Sequence, residues 1–255
     1  MKAIILAGGK GTRLEPYTTV FPKPLVPIGD RPILDIIIRQ LAYYGFNDIV
    51  LAVGHLSELI QAYFRDGVKD LPMVKLSYVK ENKPTGTAGS LLSVRDLHDT
   101  FLVMNGDLLT TMDYNKLVSY HREKGCMLTI GMHKKRVKID FGVMETDGEG
   151  KLVSYTEKPE RVYGVSMGIY VYEPEVLKYI GPDNYLDFPH LVQRLLAKGE
   201  EVATYQCDDF WLDIGNHDDF AKAQTEFERL KDKFLPGYSM LEHERQADYV
   251  EDTSI

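Results

Sequence analysis

Lys2-Ala3-Ile4-Ile5-Leu6-Ala7-Gly8-Gly9-Lys10-Gly11-Thr12-Arg13-Leu14 opens the chain, and its reading decides the fold class. Ala3 to Leu6 are continuously apolar instead of alternating, the mark of a parallel strand covered on both faces. The glycines that follow let the backbone turn sharply and bring its N–H groups close to an anion without intervening Cβ atoms. Lys10 and Arg13 place positive charge on the same turn. A plain tight turn after a strand would use the same glycines, so spacing has to separate the readings. A Walker loop needs GxxxxGK[ST]; counting back from Gly9 runs into the strand, and that reading fails. A dinucleotide fingerprint needs the glycines to open a helix and an acidic residue to close the next strand. Here Ala52-Val53-Gly54-His55 ends the next strand, and no helix is expected before Asp30.

Working outward, the first half repeats the same grammar. Asp30 is expected to cap a helix with Pro32 just inside its start, carrying Ile33, Ile36, Ile37, Gln40 and Leu41 to a stop at Gly45. Asp48 to Val53 reads as a strand. Ser57 is expected to cap a helix with Leu59, Ile60, Tyr63 and Phe64 inward. Val74 to Val79 reads as a strand, Gly86 to Asp96 as a helix and Phe101 to Met104 as a strand. This alternation predicts an α/β, Rossmann-like, doubly wound sheet. From Cys126 the strands follow one another: Met127 to Met132, Gly142 to Glu145, Leu152 to Glu157 and Val165 to Tyr172. Asp147-Gly148 and Glu149-Gly150 mark a hairpin turn. The sheet is therefore expected to be mixed but mostly parallel. Two helices are predicted after it, Tyr185 to Lys198 behind an Asp183/Asn184 cap and His217 to Lys231, with short strands between. The expected organisation is one domain over residues 1–232 and a polar, acidic tail over 233–255. No hexapeptide repeat is present.

Composition narrows the function. The chain has 255 residues, 44% of them hydrophobic, enough for one large domain. A net charge of -8 argues against a nucleic-acid surface, which needs clustered cations to release counterions. No run reaches the length of a membrane span, and the start lacks the charged and apolar regions of a signal peptide. A cytoplasmic protein is the expectation, with no membrane or nucleic-acid partner and with homo-oligomerisation left open. Cys126 and Cys207 match no metal or redox spacing and are expected as buried free thiols. The seven histidines form no ligand cluster. His121 and His190 are expected in surface or satisfied-core roles, and Tyr43, Tyr44 and Phe46 as packing at a helix end. No nucleophile elbow occurs.

Phe21-Pro22-Lys23-Pro24-Leu25-Val26-Pro27-Ile28 is the second informative stretch. Two prolines clamp Lys23 in an extended segment and fix where its ammonium points. With it, the sequence resembles the sugar-1-phosphate nucleotidylyltransferase family, whose members make dTDP-, UDP-, GDP-, CDP- and ADP-sugars. The likeness covers residues 1 to about 230. It continues through Asn105-Gly106-Asp107, Thr156-Glu157-Lys158-Pro159, Ser166-Met167-Gly168-Ile169-Tyr170-Val171 and Trp211-Leu212-Asp213-Ile214-Gly215. In overall look it is nearest to mannose-1-phosphate guanylyltransferase-like members.

The resemblance implies an in-line attack by a sugar phosphate oxygen on the α-phosphorus of a nucleoside triphosphate. It also implies a role for each motif. Leu6, Ala7, Gly8, Gly9, Gly11 and Thr12 would cradle the triphosphate, with Glu81, Gly86 and Thr87 at the base. Arg13 would stabilise the leaving pyrophosphate, and Lys23 would neutralise the attacking phosphate and α-phosphate together. Asp107, also counted among the catalytic residues, and Asp213 would hold Mg²⁺, which takes one or two carboxylates plus substrate phosphates. Gly142, leaving room for the hexose, and Glu157, Lys158 and Ser166 would form the sugar-phosphate side. Ser166 stands where the family often carries Asn. Glu81 stands where thymidylyl- and uridylyltransferases often carry Gln; a carboxylate only accepts, which suits the two adjacent donors of guanine. The expectation is therefore GTP with mannose 1-phosphate or a heptose 1-phosphate. Another base and hexose, a non-catalytic nucleotide-sugar sensor and a nicotinamide-dependent oxidoreductase are the alternatives.

Overall fold

A computed structural model describes residues 1–80, 85–181 and 185–237. The strands are β1 (Lys2–Ala7), β2 (Pro27–Ile28), β3 (Arg31–Pro32), β4 (Asp48–Val53), β5 (Lys75–Lys80), β6 (Phe101–Asn105), β7 (Leu108–Thr110), β8 (Leu128–Lys138), β9 (Val143–Thr146), β10 (Leu152–Thr156), β11 (Glu160–Tyr172), β12 (Val202–Gln206) and β13 (Trp211–Asp213). The helices are α1 (Tyr17–Val20), α2 (Ile33–Tyr43), α3 (Ser57–Tyr63), α4 (Gly86–Gly89), α5 (Tyr114–Lys124), α6 (Phe188–Ala197) and α7 (His217–Phe234).

Seven strands form the central sheet in the order β12-β8-β11-β6-β1-β4-β5. Strands β5, β4, β1 and β6 are parallel, and β8 and β12 run the same way; β11 alone is antiparallel to its neighbours. The expected mostly parallel mixed sheet is what forms. Its apolar runs are buried on both faces. Ala3, Ile5 and Ala7 join one core with the α2 isoleucines, while Ile4 joins a second core with Leu191 and Leu195 of α6. The chain leaves β1 toward β4 on one side and later adds β6 on the other, so a topological switch point lies at the carboxyl ends of β1 and β6.

Several boundaries differ from the sequence reading, each for a local reason. Pro32, not Asp30, occupies the cap position of α2, because Arg31–Pro32 pairs with Pro27–Ile28 instead of entering the helix. Leu56 precedes α3 and Ser57 is already inside it; Ile60 and Phe64 are buried, but Leu59 and Tyr63 face solvent. The helix expected over 86–96 is a single turn, α4, followed by a 3-10 stretch from Ser90 to Ser93. Two glycines and two serines in that span favour helix weakly. Helix α6 begins at Phe188, with Asp187 at its cap position and Pro189 in its first turn. The expected Asp183/Asn184 cap lies outside the described residues. Helix α7 is capped by Asn216, whose Oδ1 accepts from Asp219 N at 3.0 Å. It runs past position 232 to Phe234, which is buried, as is Leu235 just after it. Residues 238–255 of the tail lie outside the described residues.

The hairpin expected at Asp147–Gly150 is present as β9 and β10, with Asp147 Oδ1 accepting from Glu149 N and Lys151 N. It accompanies the outer halves of β8 and β11, all largely exposed. Cys126 and Cys207 are buried free thiols. His121 is a satisfied core residue: Nδ1 lies 2.8 Å from Thr129 Oγ1 and Nε2 lies 2.9 Å from Glu173 Oε1. His190 is exposed. Tyr44 and Phe46 pack edge-on to Tyr114, which bears out helix-end packing, whereas Tyr43 is exposed.

Candidate active site

The opening glycine turn is held from below. Thr18 Oγ1 donates to Gly11 O at 2.8 Å, and Leu14, fully buried, donates its N–H to the same carbonyl at 2.9 Å. Gly11 has φ +68°, a left-handed conformation that a Cβ disfavours. A Cβ there would also lie 2.9 Å from Lys23 Cβ. The glycine therefore lets the turn sit directly on the base of the lysine side chain. At the tip of β4, His55 N donates to Gly8 O at 3.3 Å, joining the turn to the neighbouring strand.

Lys23 does not sit in the expected extended segment but opens a 3-10 turn over Lys23–Leu25 after an extended Pro22; it is buried, and its ammonium forms an ion pair with Asp107 Oδ2. Asp107 follows β6 at the switch point. Its other oxygen, Oδ1, is buried without a hydrogen-bond partner. Residues Leu108–Thr110 then pair antiparallel with Trp211–Asp213, in the register Asp213 opposite Leu108, and Ile214 N donates to Asp107 O at 3.1 Å. This two-strand ladder brings together two aspartates more than a hundred residues apart. Trp211 Nε1 fixes its outer end by donating to Met167 O at 2.9 Å.

The electrostatics reflect that meeting. The Asp213 side chain reaches solvent, yet surrounding protein removes part of its hydration. Desolvation raises its pKa above the ordinary value, the Asp107 carboxylate raises it further, and Lys23 and Arg13 oppose the shift. Arg13 reaches the same corner from the opening turn: a Cβ on Gly215 would stand 3.3 Å from its Nη1. Among the described residues no group of three or more His, Cys, Asp and Glu is arranged for a metal. The two aspartates are hard oxygen donors, one with an unsatisfied buried oxygen. That set fits a magnesium ion completing its shell with phosphate and water.

Leu6, Ala7, Gly8, Gly9, Lys23, Gly86, Thr87 and Asp107 line one cleft of about 360 Å³. Leu6, Thr87 and Asn105 continue into a second lobe of about 540 Å³, where Ser166 and Tyr170 stand against α6. Ser166 Oγ donates to Tyr170 Oη at 3.2 Å, and the Tyr170 ring stacks on Phe188 with centroids 3.9 Å apart. Gly11, Thr12, Arg13 and Asp213 do not line the first lobe. Gly142, Glu157 and Lys158 line neither lobe; they lie on the exposed hairpin region. The space expected beside Gly142 for a hexose is taken by Tyr155, whose Oη would stand 2.1 Å from a Cβ there and donates to Glu157 Oε2 at 2.8 Å. Glu81 lies outside the described residues.

Tyr185 and Asp187 also line the first lobe, and the sequence reading placed both inside a helix. Asp187 Oδ1 accepts from Thr87 N at 3.2 Å, while Thr87 Oγ1 accepts from Phe188 N at 2.8 Å. Ala88 N and Gly89 N donate to Leu186 O, and Gly86, at φ +80°, allows that carbonyl to approach. Each segment thus caps the other's helix. The Asp-Phe-Pro order, with a capping side chain two residues before a proline, was the available signal for Asp187.

The profile of the Nucleotidyl transferase family matches residues 2–229. A UTP–glucose-1-phosphate uridylyltransferase of Synechocystis is 35% identical over 241 residues, covering 88% of this chain and 62% of that protein. The mannose-1-phosphate guanylyltransferase catalytic subunit beta of Dictyostelium discoideum is 33% identical, with coverage of 86% and 62%. The chain therefore spans less than two thirds of the length of these two relatives. A probable glucose-1-phosphate cytidylyltransferase of Bacillus subtilis is 32% identical, covered over 92% of its length by 85% of this chain. Among solved structures, a putative glucose-1-phosphate thymidylyltransferase from Bacillus anthracis in complex with sucrose superposes with a TM-score of 0.70 at 26% identity, covering 89% of this chain and 94% of that one. The glycine turn, the proline-flanked lysine and the paired aspartates stand on a fold shared with that structure, and the family profile spans nearly the whole chain: the chain belongs to the nucleotidyl transferase family.

Proposed function

We propose that the protein transfers a nucleoside monophosphate from a nucleoside triphosphate to a sugar 1-phosphate, releasing pyrophosphate and forming a nucleotide-sugar. The observation that carries this reading is the convergence of the Gly8–Thr12 turn, Lys23, Asp107 and Asp213 at the switch point of the sheet. Both reactants are anions, so the site has to neutralise charge and align the partners; no covalent intermediate is needed. A sugar phosphate oxygen bonds to the α-phosphorus as the bond to the pyrophosphate oxygen breaks. The attacking oxygen is already anionic, so no general base is required.

Leu6 to Thr12 hold the triphosphate through backbone N–H groups, and recognition of the base is assigned to Gly86, Thr87 and Glu81. Arg13 stabilises the departing pyrophosphate. Lys23 draws the attacking phosphate and the α-phosphate together. Ser166 in the second lobe faces the sugar; Glu157 and Lys158, on the exposed hairpin region outside both lobes, are the remaining sugar-phosphate candidates. Asp107 and Asp213 would hold Mg²⁺, which would supply electrostatic stabilisation of the phosphate charge.

For the base we propose GTP, from the acceptor character of Glu81, with mannose 1-phosphate or a heptose 1-phosphate as the sugar. The relatives named above include uridylyl-, guanylyl- and cytidylyltransferases, so UTP, CTP and dTTP with another hexose form the second reading. A cytoplasmic setting goes with either; no helix among the described residues is long and apolar enough to cross a membrane. Pyrophosphate release across a panel of triphosphates and sugar 1-phosphates, with and without Mg²⁺, tests the proposal. Magnesium-dependent release with one pair is expected. Binding without turnover on every pair would identify a nucleotide-sugar sensor instead.

A further inference from the structure

We infer that Lys23 is the counter-cation of the metal site, and that a divalent cation and the lysine ammonium exclude one another at Asp107 until a triphosphate takes the lysine. The inference deepens the proposed reaction and rests on its assignment of Asp107 and Asp213 to the cation. Three observations lead to it. The Lys23 side chain is 9% exposed, so its ammonium stays within the protein, on Asp107 Oδ2. Asp107 Oδ1 is buried with no hydrogen-bond partner, so this carboxylate keeps a second, uncompensated acceptor oxygen. Asp213 adds a further negative charge through the β7–β13 ladder.

Two carboxylates and one ammonium therefore share this corner. With the lysine seated, one acceptor oxygen is taken and much of the negative potential that would attract a divalent cation is cancelled. A cation bound to Asp107 would in turn repel the ammonium at contact distance. The prolines on either side restrict the backbone of Lys23, so the exchange is made by its four-carbon stem. The nearest alternative anion is a phosphate in the cleft that Gly8, Gly9 and Lys23 line together. Triphosphate and cation then enter cooperatively: the phosphate releases the carboxylate by drawing off the lysine, and the carboxylate holds the cation that neutralises the phosphate. By linkage, the cation promotes triphosphate binding to the same degree.

The test is Mn²⁺ binding to the nucleotide-free protein, followed by electron paramagnetic resonance at fixed pH and ionic strength. Wild type is expected to bind Mn²⁺ weakly, and Lys23→Met about tenfold or more tightly, as expected for deleting a unit charge at contact distance in a partly buried site. Lys23→Arg keeps the charge and should stay near wild type. Adding Asp107→Asn to Lys23→Met should remove the gain. Equal or weaker binding by Lys23→Met, or a gain that survives without Asp107, overturns the inference. Should Lys23→Met fail to give a folded circular dichroism spectrum, amine labelling of wild type with mass-spectrometric mapping replaces it. Saturating Mg²⁺, against NaCl of equal ionic strength, is then expected to raise labelling at Lys23 severalfold; unchanged labelling refutes the exchange. The triphosphate panel separates this inference from the activity it rests on. Exchange without turnover on any pair rejects the activity alone, and turnover without exchange rejects the exchange alone.

Discussion

Gly11→Ala and Gly9→Ala are chemically the same change two residues apart, and the structure assigns them opposite consequences. At Gly11 the new Cβ meets two obstacles. The backbone is left-handed at φ +68°, which costs a Cβ-bearing residue about 1–2 kcal/mol. The methyl would also sit 2.9 Å from Lys23 Cβ and 3.0 Å from Thr18 Cγ2, atoms close to the backbone that cannot swing aside. Relief requires the turn and the lysine to separate by several tenths of an ångström. The destabilisation should lower the melting temperature by roughly 2–8 °C, taking about 2–4 °C per kcal/mol for a domain of this size. Displacing Lys23 should lower kcat by up to about a hundredfold, as expected for misplacing a charge that aligns reactants. At Gly9 a Cβ meets nothing within 4 Å and φ is not left-handed, so stability should change by less than about 0.5 kcal/mol. There the methyl projects into the cleft and should raise KM for the triphosphate. Thermal denaturation and steady-state pyrophosphate release read both effects. A Gly11→Ala enzyme that melts early but keeps its kcat would show that the glycine does not govern the lysine's position. Equal loss of stability at Gly9 would refute the steric argument.

Four further outcomes are expected. Asp107→Asn should abolish Mg²⁺-dependent turnover while the protein remains folded; retained turnover would remove this carboxylate from the cation site. Glu81→Gln should alter the preference among triphosphates more than the maximal rate, and an untouched preference would defeat the base argument. Asp187→Ala removes an acceptor from Thr87 N and should loosen the joint between the two cleft lobes, raising KM for both substrates in initial-rate measurements; a change confined to one substrate would contradict a shared joint. Burial pushes the Cys207 thiol up to about 12, so it should resist iodoacetamide at pH 8 in the native protein. Because the folded value lies above the ordinary thiol value, the stability it contributes is complete below about pH 9 and declines as pH rises toward the folded value; native-state mass mapping and denaturation against pH check both points.

Local chemistry accounts for what was legible in the chain. The continuous apolar run before Gly8 announced a doubly covered parallel strand, and β1 is that strand. Asp147 to Gly150 announced a hairpin, and β9 and β10 form it. Errors fell where a neighbour overrode the local preference. Pairing of Arg31 with Ile28 moved the start of α2, and mutual capping between Thr87 and Asp187 shortened one helix and delayed another. Opposite Gly142 stands Tyr155, a neighbour that the local sequence does not reveal.

The amino-acid order by itself determined the alternating parallel architecture, the glycine turn after β1 and the candidate status of each charged residue. These follow from interactions between residues a few positions apart, where dihedral preference and side-chain period are decisive. Only the tertiary structure decided which charges meet. Lys23 reaches Asp107 across 84 positions, and Asp107 reaches Asp213 through a three-residue ladder between β7 and β13. Nothing in the spacing of those residues encodes that register. It arises when the two strands pair at the edge of a core assembled from the whole chain, and a shift of one residue would turn one carboxylate away from the other.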